Sequence, residues 1–138
     1  RLNLNIREKY GFTYNIESFY NPYSDTGVFG IYAGTDPSTM ARTLKLIEKE
    51  LKKLREKKLG TVQLSKAKRQ ILGQIAMAQE NNASLMLALG KSLLTFDRID
   101  TFEEIRDKIE QITADDLLEV ANEILAPEQL STLVYKPA

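Results

Sequence analysis

Whatever chemistry this sequence performs must do without imidazole and thiolate, because its 138 residues include no histidine and no cysteine. Catalytic zinc sites ordinarily need one of those ligands, and the commonest general base near neutral pH is histidine. Carboxylates alone suit calcium or magnesium. No loop has the alternating Asp/Asn spacing and glycine of an EF-hand, and no glycine-rich phosphate loop is present. A self-contained enzyme is therefore not expected, and neither is a metal site within the chain. Without cysteine there are no disulfides, and the redox compartment is left undecided.

The remaining candidates are runs of charge. Nineteen Lys and Arg cancel nineteen Asp and Glu, so no overall field draws the chain to nucleic acid or to an anionic membrane. Between Arg42 and Lys58 eight bases stand against three acids, and between residues 97 and 128 eleven acids stand against three bases. The basic run interleaves with an apolar stripe, which favours a solvated helix face over a patch for an anionic partner. The acidic run either faces the basic one or lines a wall that attracts cationic peptides. Gly27, Gly30 and Gly34 read as close-packing points in a strand, and Met77 and Met86 as core residues.

These residues are placed by elements that the pattern makes legible. Leu2 and Ile6 stand four apart in a stretch without an N-cap, which reads as the tail of a helix that Gly11 stops. Phe12 to Tyr20 alternates as a strand, with Phe12, Tyr14, Ile16 and Ser18 on one face. Turn formers from Asn21 to Gly27 lead to a second strand, Val28 to Ala33, and so to a hairpin. Asp36-Pro37 predicts the start of a helix over 37–58 with Met40, Leu44, Ile47, Leu51 and Leu54 on its apolar stripe. A second helix begins near Val62, and Asn81-Asn82 interrupts it before Leu85, Met86, Leu89 and Leu93. Thr101 with Glu104, and Thr113 with Asp116, form capping boxes for two short helices, the latter carrying Leu117, Val120, Ile124 and Leu125. Pro127 stops the last of them, and Leu130 to Tyr135 alternates as a final strand.

The fold class expected is α+β in two layers, an antiparallel sheet covered on one face by helices. Residues 1–138 read as a single partial domain: a helix end and hairpin over 1–36, then a helical layer and last strand over 37–138. The edges of so small a sheet, with its beheaded first helix, predict that further chain or a partner completes it, and that the fragment self-associates. No apolar run approaches the roughly 18 residues that span a bilayer, so no membrane contact is expected.

The run Ile6-Arg7-Glu8-Lys9-Tyr10-Gly11-Phe12-Thr13-Tyr14-Asn15-Ile16, then Phe19-Tyr20, then Gly27-Val28-Phe29-Gly30-Ile31-Tyr32-Ala33-Gly34-Thr35-Asp36-Pro37, resembles the insulinase/pitrilysin-like zinc metallopeptidases. These are the inverzincins named for H-x-x-E-H. The resemblance is specific over residues 6 to 37 and more generic through the long charged helix to the last strand. It implies the mitochondrial-processing-peptidase-like metallohydrolase fold and a metalloendopeptidase in which two homologous halves enclose a peptide substrate. Zinc is held by two histidines and a glutamate in a stretch preceding the matched one, so no ligand is carried over here, and the zinc is assigned to the parent or partner domain.

In the C-terminal halves of such peptidases an Arg and a Tyr seven positions apart face the zinc, and Arg7 and Tyr14 reproduce that spacing. Their implied role is to bind the peptide backbone and polarise the scissile carbonyl or its oxyanion. A guanidinium donates in a planar fork and a phenol is a compact donor on a rigid arm, so the chemistry is apt. The plain structural alternative is an Arg that caps a helix C-terminus and a Tyr packed as a strand aromatic. Catalytic halves carry a similar Arg-Glu-x-x-Gly-x-x-Tyr passage, so the resemblance leaves open which half this is. The partners implied are a peptide substrate and a homologous catalytic half in the same or a second chain. Rival readings are a non-catalytic scaffold of the same fold, as in respiratory-complex core proteins, and an adaptor that binds nucleic acid through residues 42–58. Neutral net charge disfavours the latter.

Overall fold

The computed structural model describes residues 1–136. The chain groups into two compact units, one of Arg1–Lys57 together with the stretch from Leu118 onward, the other of Lys58–Leu117.

In the first unit a π-helix, Asn3–Glu8, precedes a hairpin of β1 (Thr13–Pro22) and β2 (Gly27–Thr35). The strands are antiparallel, and the turn between them closes through Tyr23 N–H to Thr26 O at 2.8 Å. Two glycines of β2 mark close approaches, as the sequence suggests. A Cβ on Gly30 would collide with the Phe19 ring, and one on Gly27 would come within 2.7 Å of the Tyr20 hydroxyl. Helix α1 (Met40–Glu56) lays Ile47, Leu51 and Leu54, spaced by four and three, against Ile31 of β2. Ala121 and Leu125, at the end of α5 (Ala114–Ile124), complete this core.

Three expectations fail here. The helix begins at Met40 rather than at residue 37, because Asp36 accepts hydrogen bonds from Ser38 N–H at 2.8 Å and from its hydroxyl at 2.6 Å. That closes a local turn which the Pro37 ring tolerates, so Asp36 caps the turn and not the helix. In α5 the buried residues are Ala121 and Leu125, while Leu117, Val120 and Ile124 are exposed, so the buried stripe is narrower than the apolar one. The predicted last strand is not formed: Leu130–Tyr135 follows a short 3₁₀ turn, Pro127–Gln129, without a ladder partner, and the sheet of the described residues has two strands. Alternation marks a segment suited to a pleated face, but only a neighbouring edge makes it a strand.

The second unit contains α2 (Thr61–Gln79), α3 (Asn82–Phe96) and α4 (Phe102–Gln111). The break between α2 and α3 falls where the paired asparagines put it, and the Asn81 side chain accepts from Ser84 N–H at 3.0 Å. Both capping boxes form. Thr101 exchanges bonds with Glu104 at 2.7 and 3.2 Å, and Thr113 with Asp116 at 2.8 and 3.2 Å. Loss of the first box in Thr101→Ala is expected to destabilise the protein by about 1 kcal/mol, seen as a lower denaturant midpoint at unchanged slope. Met77 and Met86 are 64% and 65% exposed, not core. The half-buried apolar residues are Leu64, Ala67, Leu72 and Ile75 of α2 with Leu85 and Leu89 of α3. Each helix thus buries one narrow stripe, and both methionines fall beside it. No helix of the described residues is long and apolar enough to cross a membrane.

Candidate functional site

The site is built outward from Ile6, which is fully buried and fixes one side of the π-helix. Arg7 follows it and is exposed. A single-turn π-helix is wider than an α-helix and recurs at functional positions. The segment ends at Gly11, whose φ of 65° suits a residue without Cβ, and whose N–H closes on the Arg7 carbonyl at 2.9 Å. The chain then reverses into β1, which packs against the π-helix.

Tyr14 stands on an irregularity that alternation does not foresee. Thr13 pairs with Thr35 and Asn15 with Gly34, leaving Tyr14 as the extra residue of a β-bulge. The phase of the strand shifts there. Thr13 and Ile16 are buried at 6% and 4% exposure, while Tyr14 is 74% exposed, so the expected face of Phe12, Tyr14, Ile16 and Ser18 does not exist as one surface. Bulges re-aim a side chain and are frequent beside active sites. Hydroxyls hold the base of this one: Thr35 Oγ1 donates to Phe12 O at 2.5 Å, and Thr39 Oγ1 lies 3.3 Å from the same carbonyl. Thr35 Oγ1 is also 2.8 Å from Thr39 Oγ1 and 3.3 Å from that of the buried Thr43. The rings of Tyr10 and Phe12 stack at 5.6 Å.

Among the described residues neither the Arg7 nor the Tyr14 side chain has a hydrogen-bond or ion-pair partner, unlike Arg1, Asn5 and Thr35 around them. The Arg7 guanidinium does not cap the helix and the Tyr14 ring is not packed in the sheet. Both donors lie within the first unit, on successive elements joined through Gly11.

Glu50 is the residue that sequence reading misplaced. Counted there among the acids of a solvated face, it is 4% exposed. Its Oε2 accepts from Arg1 Nε and Asn5 Nδ2, both at 2.8 Å, and its Oε1 from Lys53 Nζ at 2.5 Å. Burial pushes the Glu50 carboxyl up, but the hydrogen bonds from Lys53, Arg1 and Asn5 and the Lys53 charge outweigh it and bring the pKa to about 2. The signal was available: Glu50 lies three residues after Ile47 and seven after Thr43, on the inward side of α1.

The donor set does not fit zinc. Histidine and cysteine are absent from the sequence, and no three carboxylates among the described residues converge on a point. Elsewhere charges pair with one another, Lys58 with Asp115 far along the chain and Lys108 with the nearby Asp100.

Residues 1–71, just over half of the chain, match the family model described as "Peptidase M16 inactive domain". The chain belongs to the insulinase-like M16 peptidase family. An uncharacterized zinc protease of Rickettsia felis is 35% identical over 97% of this M16 chain, which covers 32% of that protein. One of Streptomyces coelicolor is 32% identical over 91%, covering 27% of the relative. The mitochondrial-processing peptidase subunit alpha of Rattus norvegicus is 27% identical over 91%, covering 24% of it. The chain thus spans about a third or less of the length of these curated relatives. Among solved structures, a chain of complex III2 from Candida albicans superposes with a TM-score of 0.80 at 22% identity, over 89% of this chain and 29% of that one. The periplasmic protease PqqL from Escherichia coli superposes at 0.63 with 17% identity, over 88% and 14%. These likenesses show the fold, and they agree with the α+β class expected from sequence.

Proposed function

We propose that this M16 domain is the C-terminal, substrate-binding portion of a zinc-dependent metalloendopeptidase. It closes on a peptide against a homologous half, in the same or a second chain, and that half holds the zinc. Its own share of the work is to grip the peptide backbone and to donate hydrogen bonds from Arg7 and Tyr14 to the scissile carbonyl as negative charge develops on its oxygen. The observation that carries the reading is that two strong donors stand exposed and, among the described residues, without a hydrogen-bond or ion-pair partner, on elements tied down beside them by the Asn5–Glu50 and Thr35–Phe12 hydrogen bonds. A guanidinium and a phenol that stabilised only the fold would be packed or paired. The open edges of β1 and β2 also give an isolated fragment a surface through which to associate.

Arg7 supplies the direct test in the assembled peptidase. Arg7→Lys keeps the charge but loses the planar fork, and is expected to lower kcat about tenfold or more while KM moves less. Arg7→Ala should lose more. Normal kcat in both folded variants would remove Arg7 from substrate binding and leave the domain a scaffold.

A further inference from the structure

We infer that Glu50 is a positioning residue for Arg7, holding the turn of π-helix on which that guanidinium stands. The inference rests on the reading of Arg7 as a substrate-binding donor. Three facts carry it. The Glu50 carboxylate is buried on α1, and two of its three partners, Arg1 and Asn5, belong to the segment that bears Arg7. Asn5 N–H also closes on Arg1 O at 2.9 Å, so both residues gripped by Glu50 sit on one turn. Finally, Thr39, the residue just before α1, and Thr43 within it place their hydroxyls in the cluster at the base of the Tyr14 bulge. One helix thus holds both donors: Glu50 sets the segment of Arg7, and the threonines set the strand of Tyr14.

The ionised carboxylate meets three donors with its two oxygens and so ties the π-helix segment to α1. A leucine at position 50 would make none of these bonds, and directional charged hydrogen bonds fix orientation in a way that dispersion contacts do not. Arg7 itself touches none of these groups, so Glu50 acts on it only through the backbone of residues 5 to 7.

The test is a double-mutant cycle in the assembled peptidase, with kcat, KM and thermal stability measured for Glu50→Gln, Arg7→Ala and the pair. Glu50→Gln is expected to lower kcat of the folded enzyme roughly ten- to hundredfold, the effect of misplacing a reacting group by about 1 Å, with a smaller change in KM. In the Arg7→Ala background the same substitution should lower kcat no further. Equal losses in both backgrounds, or lower thermal stability at unchanged kcat, would overturn the inference. Should Arg7→Ala alone leave kcat intact, the reading of Arg7 falls and this inference with it. A large loss in Arg7→Ala beside normal kcat in Glu50→Gln overturns the inference alone. Should Glu50→Gln fail to fold, Asn5→Ala decides by the same criteria, because it removes one bond and leaves Glu50 paired with Lys53.

Discussion

Tyr14→Phe is expected to lower kcat of the assembled peptidase by roughly 10² to 10³, or about 3 to 4 kcal/mol of transition-state stabilisation, while KM changes far less. The substitution removes one hydroxyl and keeps the ring. At 74% exposure that ring contributes little packing, so folding stability should be nearly unchanged. The size of the effect follows from timing. A phenol that meets the oxyanion strengthens its bond as charge develops, whereas a phenol that merely touches substrate binds ground and transition states alike and alters KM. A structural tyrosine predicts the reverse pattern, lower melting temperature with preserved kcat in the folded fraction. Kinetics and thermal melts on one preparation separate the three cases. Normal kcat in folded Tyr14→Phe would take the residue out of the mechanism.

Acid should dissolve the Glu50 clamp, with a loss of about 3 kcal/mol of folding stability, taken at roughly 1.4 kcal/mol per tenfold change in proton affinity. The folded carboxyl is held at about 2 against an ordinary 4.5, so the folded state favours the ionised form. The contribution is present in full above about pH 4.5, declines as pH falls, and is gone below about pH 2. Denaturant unfolding from pH 7 to pH 2 for wild type and Glu50→Gln reads this directly. The stability gap between the two proteins should be constant near neutrality and close towards pH 2. Hydrogen bonding also lowers Asp36, Asp100 and Asp116, but those groups titrate in both proteins and cancel in the difference. A gap independent of pH would mean that the Glu50 carboxyl has the same proton affinity in the folded and unfolded states, and would remove the clamp as a device that favours the ionised form.

Local signals carried the elements well. Asn81 divides α2 from α3, both Thr capping boxes close, and Gly11 ends the first helix at positive φ, because each is a contact within a few residues that the chain makes wherever it lies. Gly27 and Gly30 of β2 were likewise legible as close approaches to aromatic rings, whereas a Cβ on Gly34 would make only an ordinary contact with the Tyr32 hydroxyl at 3.7 Å. The candidate donors Arg7 and Tyr14 were found through a passage resembling a known family, and without it their types and spacing also suited a cap and a packed ring.

The order of elements as far as α5, the apolar stripe of α1 and the absence of histidine and cysteine were settled in the amino-acid sequence, because they depend on composition and on contacts close along the chain. Pairing across distance was not. The bulge at Tyr14 exists because Thr13 and Asn15 find successive partners on β2, and a period-two pattern cannot contain an extra residue. Leu130–Tyr135 alternates as a strand should, yet forms none, since a ladder is a property of two segments. Glu50 illustrates the same limit: in the sequence it is one acid on a charged helix, and only the approach of Arg1 and Asn5, 49 and 45 residues away, makes it a buried clamp. Charges report their own type locally, but whether water or a partner satisfies them is decided by what the fold brings beside them.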